Sequence, residues 1–143
     1  MKKNNKLKIV LDTNVFIVSL STHFRYYWVY EELLNSKYDL CLSNEILYEY
    51  QQELSHRYGL KSTDAALDFL LLLPNVYFIT PYFRWQLIKH DPDDNKFVDC
   101  AIAANADYIV SNDGDFKALK KVFFPPVKVL SIEEFGKVLF QER

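Results

Sequence analysis

Leu7-Lys8-Ile9-Val10-Leu11-Asp12-Thr13-Asn14 is the stretch on which the fold turns. Residues 7–11 read as a short, nearly continuous apolar strand. That is the pattern of a strand covered on both faces of a parallel sheet, rather than the alternation of a half-exposed one. The strand ends abruptly in an acid. Working outward, residues 15–20 and 24–34 carry helical patterns, and 38–42 form a second strand. Ser43 is placed to cap a helix over 44–57. A helix over 63–73 stops before Pro74, and 76–80 read as a third strand. Asp91-Pro92 opens a helix reaching about Asn105, with proline at its first position. Residues 108–111 form a fourth strand, Asn112-Asp113-Gly114 a loop, 127–130 a fifth strand and 131–140 a closing helix. Alternating strands and helices predict a three-layer α/β/α sandwich around a mostly parallel sheet of about five strands. In such folds ligands bind beyond the carboxyl ends of the strands.

The composition fits one domain spanning residues 1–143, with 50% hydrophobic and 25% charged residues, which excludes a disordered chain or a collagen-like fibre. Cys41 and Cys100 form no CxxC pair, so neither a zinc knuckle nor a secreted disulfide scaffold is indicated, and a reducing cytoplasm is expected. The basic residues 1–8 run into an apolar stretch that Asp12 interrupts. No later stretch approaches the ~18 apolar residues of a membrane span. The net charge of −2, from 17 basic and 19 acidic residues, provides no global field for nucleic acid, so any such site must be local.

The acids fall where a parallel sheet would gather them. Asp12 follows strand one, Glu45, Glu49 and Glu53 lie on the helix after strand two, and Asp113 and Asp115 follow strand four. Several carboxylates held together repel unless a divalent cation neutralises them. Hard oxygen ligands suit Mg²⁺ or Mn²⁺, and such sites favour phosphoryl chemistry. Each acid also has a plainer role. Asp12 suits a helix cap, and Asp91 and Asp93 suit the positive end of a helix dipole. Asp94 differs, because at ~100° per residue it falls on the inward face with Phe97, Val98 and Ala101, where a carboxylate needs a partner. Asp99 is expected on the solvent side. Periodicity does not choose among Glu45, Glu49 and Glu53. Asp115 suits a cap for a short helix at 116–119, which leaves Asp113 as the better ligand candidate.

Four pieces in order resemble the PIN-domain ribonucleases, most closely their bacterial toxin-like, VapC-related members: Leu11-Asp12-Thr13-Asn14-Val15, Ser43-Asn44-Glu45-Ile46-Leu47-Tyr48-Glu49, Asp91-Pro92-Asp93-Asp94-Asn95-Lys96-Phe97, and Ala106-Asp107-Tyr108-Ile109-Val110-Ser111-Asn112-Asp113. The resemblance implies a metal site of Asp12, Glu49, Asp94 and Asp113, with Asn14 and Ser111 as supporting polar groups and Asp115 as a rival fourth acid. Ser111 stands where many relatives have Thr. Also implied are a Mg²⁺- or Mn²⁺-dependent endoribonuclease, an RNA substrate, a cognate antitoxin protein and a homodimer.

For phosphate contacts the candidates are Lys2, Lys3, Lys6 and Lys8, the cluster Lys117, Lys120 and Lys121, and Arg57, Arg84 and Lys89. Tyr26, Tyr27, Trp28 and Tyr30 suit a core or dimer surface better than base stacking. His23, His56 and His90 share no ligand spacing, which argues against zinc and against a Ser-His-Asp triad. Two other classes compete with this reading. An aspartyl-phosphate enzyme fits poorly, because Leu11-Asp12-Thr13-Asn14 lacks the usual paired aspartates. A catalytically inactive PIN-like module that binds RNA or protein is the alternative, and retention of all four acids argues against it.

Overall fold

Ile9, Val10 and Leu11 of β1 (Lys8–Leu11) are all fully buried. Successive side chains of a strand face opposite sides, so this burial requires cover on both faces. The computed structural model describes residues 6–122 and 124–141, so Lys2 and Lys3 lie outside the described residues. In it β1 is the central strand of a five-stranded sheet ordered β3-β2-β1-β4-β5, with β2 (Asp39–Leu42), β3 (Val76–Phe78), β4 (Tyr108–Val110) and β5 (Val129–Leu130). Every pairing is parallel. Flanking the sheet are α1 (Thr13–Val18), α2 (Tyr27–Leu34), α3 (Asn44–Tyr58), α4 (Leu60–Leu72), α5 (Asn95–Ala104) and α6 (Ile132–Gln141). This is the α/β sandwich that the alternating pattern predicts. Among the described residues no helix is long and apolar enough to cross a membrane.

The strand order locates the functional edge. β1, β2 and β3 step outward in one direction, whereas β4 and β5 lie on the other side of β1. A parallel sheet opens a crevice where its winding reverses, here beyond the carboxyl ends of β1 and β4. The Asp12 N–H donates to the Val110 carbonyl (3.1 Å), which extends the β1–β4 ladder and fixes Asp12 at that crevice.

Local chemistry sets the helix ends. The Ile46 N–H donates to Ser43 Oγ (3.3 Å), which caps α3 as expected. At α6, Ser131 and Glu134 form a reciprocal capping box, the Glu134 N–H donating to Ser131 Oγ (3.1 Å) and the Ser131 N–H to Glu134 Oε1 (2.8 Å). Asn105 closes α5 in the left-handed region at φ 53°. Tyr26, Trp28 and Tyr30 pack against the core, where Trp28 meets Phe135 and Phe140 of α6 at ring-centroid distances of 5.7 and 5.4 Å.

α6 approaches α2 closely because Gly136 lacks a side chain. A Cβ there would lie 3.2 Å from Trp28 Cζ2. Gly136→Leu is expected to force Trp28 aside and to cost about 1–3 kcal/mol, read as a lower urea midpoint. An unchanged midpoint would show that Trp28 yields freely.

Candidate functional site

Four chain segments meet at the crevice. The first supplies Asp12, which is buried and occupies the position before α1 without any side-chain cap bond. Instead the Ser111 hydroxyl donates to Asp12 Oδ2 (2.7 Å). The capping role open to Asp12 in the sequence is therefore not the one it plays. Burial raises the Asp12 carboxyl above its ordinary range. The Ser111 hydrogen bond and the Thr13 backbone oppose that rise, and the charges of Asp113 and Glu49 add to it.

The second segment is α3. Its apolar face is Ile46, Tyr50 and Leu54, all buried. Tyr50 stacks on Phe16 with centroids 4.2 Å apart, and its hydroxyl donates to the Leu11 carbonyl (2.6 Å), locking α3 to the end of β1. This anchor turns the adjacent Glu49 inward. One Glu49 oxygen accepts from the Thr13 hydroxyl and the other from Lys96 Nζ, whereas Glu45 pairs with Arg84 at 3.6 Å. The three-glutamate stripe is thereby resolved in space.

The third segment is a single 3-10 turn, Pro92–Asp94, leading into α5. Asp94 is only 9% exposed, and among the described residues no donor reaches its buried Oδ2. Burial first, then the charges of Asp91, Asp113, Asp12 and Asp115, push its carboxyl up to about 7. Carboxylate oxygens of Asp91, Asp94 and Asp115 all lie within 4.8 Å of one another. Asp91 was expected only to face the helix dipole, yet it belongs to this group.

The fourth segment follows β4. Ser111 Oγ accepts from the Asp113 N–H (2.9 Å) while donating to Asp12, so one hydroxyl fastens the loop after β4 to the end of β1. The cap expected of Asp115 is made by Asp113 instead. Asp113 caps the 3-10 segment Gly114–Lys121 by accepting from the Asp115 N–H (2.9 Å), and Asp115 turns toward Asp94. His90 Nε2 stands 3.2 Å from Asp115 Oδ1, which places the histidine beside the acidic group. Asn14 is exposed and lines a cleft of about 290 Å³ with Asp12 and Asp113.

Residues 8–115 match the family model described as PIN domain. The chain belongs to the PIN-domain family. No curated protein matches the sequence. Among solved structures, VapBC2 from Rickettsia felis bound to a promoter DNA fragment is similar at 20% identity and a TM-score of 0.61, covering 87% of this chain and 98% of that one. VapC20 of Mycobacterium tuberculosis, described as a sarcin-ricin loop cleaving toxin, is similar at 22% identity and a TM-score of 0.56, over 77% and 93%. PAE2754 from Pyrobaculum aerophilum gives 14% identity and a TM-score of 0.58, over 95% and 90%. At such identities the shared property is the fold.

In this PIN domain Asp12, Asp94 and Asp113 lie within electrostatic reach of one another, and Glu49 joins them from the Asp12 side. Asp99 is a correction. The helical wheel assigns it to solvent, but it is 6% exposed and accepts from the Trp85 N–H (3.0 Å), because the irregular chain between β3 and α5 lies over that side. Sequence reasoning also missed Lys96, whose ammonium bridges Glu49 and the Asp93 carbonyl (2.7 Å). The available signal was a lysine within the acidic helix start, which nothing in the periodicity distinguished from a solvated one.

Ser111→Ala removes the donor to Asp12 and the acceptor for Asp113 together. Groups that orient metal ligands are each worth about 10–100-fold in metal affinity, so a loss of that size in a Mn²⁺ titration is the result expected if Asp12 and Asp113 serve as ligands. Ser111→Thr keeps the hydroxyl and is expected to retain affinity. Equal weakening by both variants would mean that packing, not the hydroxyl, matters.

Proposed function

We propose that this PIN domain is a Mg²⁺- or Mn²⁺-dependent endoribonuclease that acts as the toxin of a toxin–antitoxin pair. The buried Asp94 Oδ2, without a donor among the described residues and surrounded by carboxylates, is the observation that carries this reading. An anionic oxygen so placed is costly unless a cation meets it, and an all-carboxylate donor set is hard, suiting Mg²⁺ or Mn²⁺ over zinc. Asp94 would hold the ion among Asp91, Asp113, Asp12 and Asp115, all of which act on its charge. Once bound, such an ion acts as a Lewis acid toward the phosphate and lowers the pKa of a water molecule.

The protein's own groups then have defined tasks. Ser111 orients Asp12 and holds Asp113 at its side. Thr13 and Lys96 together fix Glu49, which orients the attacking water from the Asp12 side. Water adds to phosphorus and gives up a proton to solvent, the phosphodiester P–O bond breaks, and the leaving oxygen takes up a proton from solvent. The antitoxin complexes among the similar structures support a cognate antitoxin partner. Exposed apolar side chains along α4 and the edge strand β3, Phe69 and Leu72 on one side of the helix and Tyr77 and Phe78 on the strand, support burial of part of this edge in a homodimer.

Incubation of the purified chain with single-stranded RNA in Mn²⁺, in Mg²⁺ and in EDTA tests the reading. Internal cleavage that requires either metal and stops in EDTA is expected. Absence of both cleavage and Mn²⁺ binding would leave the inactive binding module as the better description.

A further inference from the structure

Beyond Asp113 the crevice continues into a second and larger cleft, of about 760 Å³, between the Gly114–Lys121 segment and β5. Leu119, Val127 and Val129 supply apolar wall. Lys117, Lys120 and Lys128 are exposed at its sides, in a chain whose net charge is −2. Two acids also line it. Asp113 belongs to the carboxylate group, and Glu134 has its Oε1 taken by the Ser131 N–H. Asn112 and Asp113 border both this cleft and the smaller one around Asp12. Asp113 thus sits at a junction between two depressions, the smaller of which Asp12 also lines.

We propose that the lysine-lined cleft is a nucleotide subsite, which takes one residue of single-stranded RNA flanking the scissile phosphate. The proposal rests on the nuclease reading above. The volume falls in the ~300–1,000 Å³ range of sites for small organic groups, enough for a base against the apolar wall. The three ammonium groups meet the adjoining phosphates. Continuity is the main argument: a polymer with one phosphate at Asp12, Asp94 and Asp113 that extends past Asn112 and Asp113 places a neighbouring nucleotide in this cleft. On that path this depression has cations at its sides. Lys121, grouped with Lys117 and Lys120 by sequence alone, does not line it.

Fluorescence anisotropy with a labelled single-stranded RNA of about twelve nucleotides, in EDTA, reads the subsite without the metal. Removing two phosphate contacts is expected to lower the slope of log affinity against log salt by about 1.4. The Lys117→Ala/Lys128→Ala double variant is therefore expected to bind about tenfold more weakly with that shallower slope. Lys61→Ala/Lys137→Ala, which removes two exposed lysines elsewhere, is expected to change affinity less than twofold. Val127→Trp, which fills the wall and keeps every lysine, is expected to weaken binding as well, and photocrosslinks from 4-thiouridine RNA to wild-type protein should fall within residues 108–131.

Equal losses in the two lysine pairs, crosslinks confined elsewhere, or an acidic peptide competing as well as RNA would each overturn the subsite. The two readings separate cleanly. Lysine-dependent RNA binding without metal-dependent cleavage sustains the subsite and sinks the nuclease. Metal-dependent cleavage with RNA affinity indifferent to Lys117 and Lys128 does the reverse.

Discussion

Asp94→Asn lowers Mn²⁺-dependent RNA cleavage by at least about a hundredfold and raises the melting temperature in EDTA. The first effect follows from rank. Groups that merely orient metal ligands are worth up to ~100-fold, and Asp94 carries the buried oxygen proposed to meet the ion itself. The second follows from charge, since Asp91, Asp113, Asp12 and Asp115 all act to disfavour ionised Asp94. An amide keeps the shape, removes that repulsion and can donate toward Asp91 or Asp115. Functional sites often hold like charges at a cost in stability. Asp12→Asn is expected to share the loss of activity, whereas a mere capping aspartate would tolerate the change, because Asn caps about as well. An Asp94→Asn protein that cleaves RNA at the wild-type rate in Mn²⁺ removes the carboxylate site from consideration.

The second large effect is a pH dependence of the metal-free fold. Asp94 has its folded-state pKa raised from 3.8 to about 7, so between those values the folded state binds the extra proton. Stability from this group is complete below about pH 4, declines as pH rises, and is exhausted above about pH 7. The total is a few kcal/mol at most. Burial moves Asp12 in the same direction. Melting in EDTA should therefore show Asp94→Asn gaining on the wild type between pH 4 and pH 7, with a constant margin above. Saturating Mn²⁺ should reverse the wild-type trend, because a cation selects the ionised form. A wild-type-to-variant margin that is flat across pH 4–8 would contradict the assignment.

What the sequence disclosed was governed by short-range rules. The apolar run before Asp12, the Ser43 cap and the Asp91-Pro92 start each express a local preference that the fold preserves. The inward position of Asp94 followed from one helical period. The misreadings came where another segment intervenes. Asp99 faces away from Asp94 on the wheel, but only the path of the chain around Trp85 decides whether that side meets water. Asp113 and Asp115 are two residues apart in a loop, and no periodicity tells which caps and which turns inward. Glu49 is separated from Glu53 by Tyr50, whose hydroxyl reaches a carbonyl 39 positions away. The resemblance to PIN ribonucleases pointed to Glu49 without supplying that cause.

The order of the strands also bears on the protein's birth. β1 precedes the other four described strands, yet one of its two partners, β4, is synthesised only after β2 and β3. A chain emerging from the ribosome can pair β1 with β2 early, but Asp12 waits for Ser111, and Asp94 waits for Asp115, until nearly 120 residues have been added. Pairing so distant in sequence closes late and carries the entropy of a long loop. The carboxylate group therefore assembles only after Asp115 has been added, and nascent or truncated chains lacking residues beyond 110 carry no assembled centre. For the nuclease activity proposed above, the consequence is that cleavage is expected only from chains that extend past Asp115.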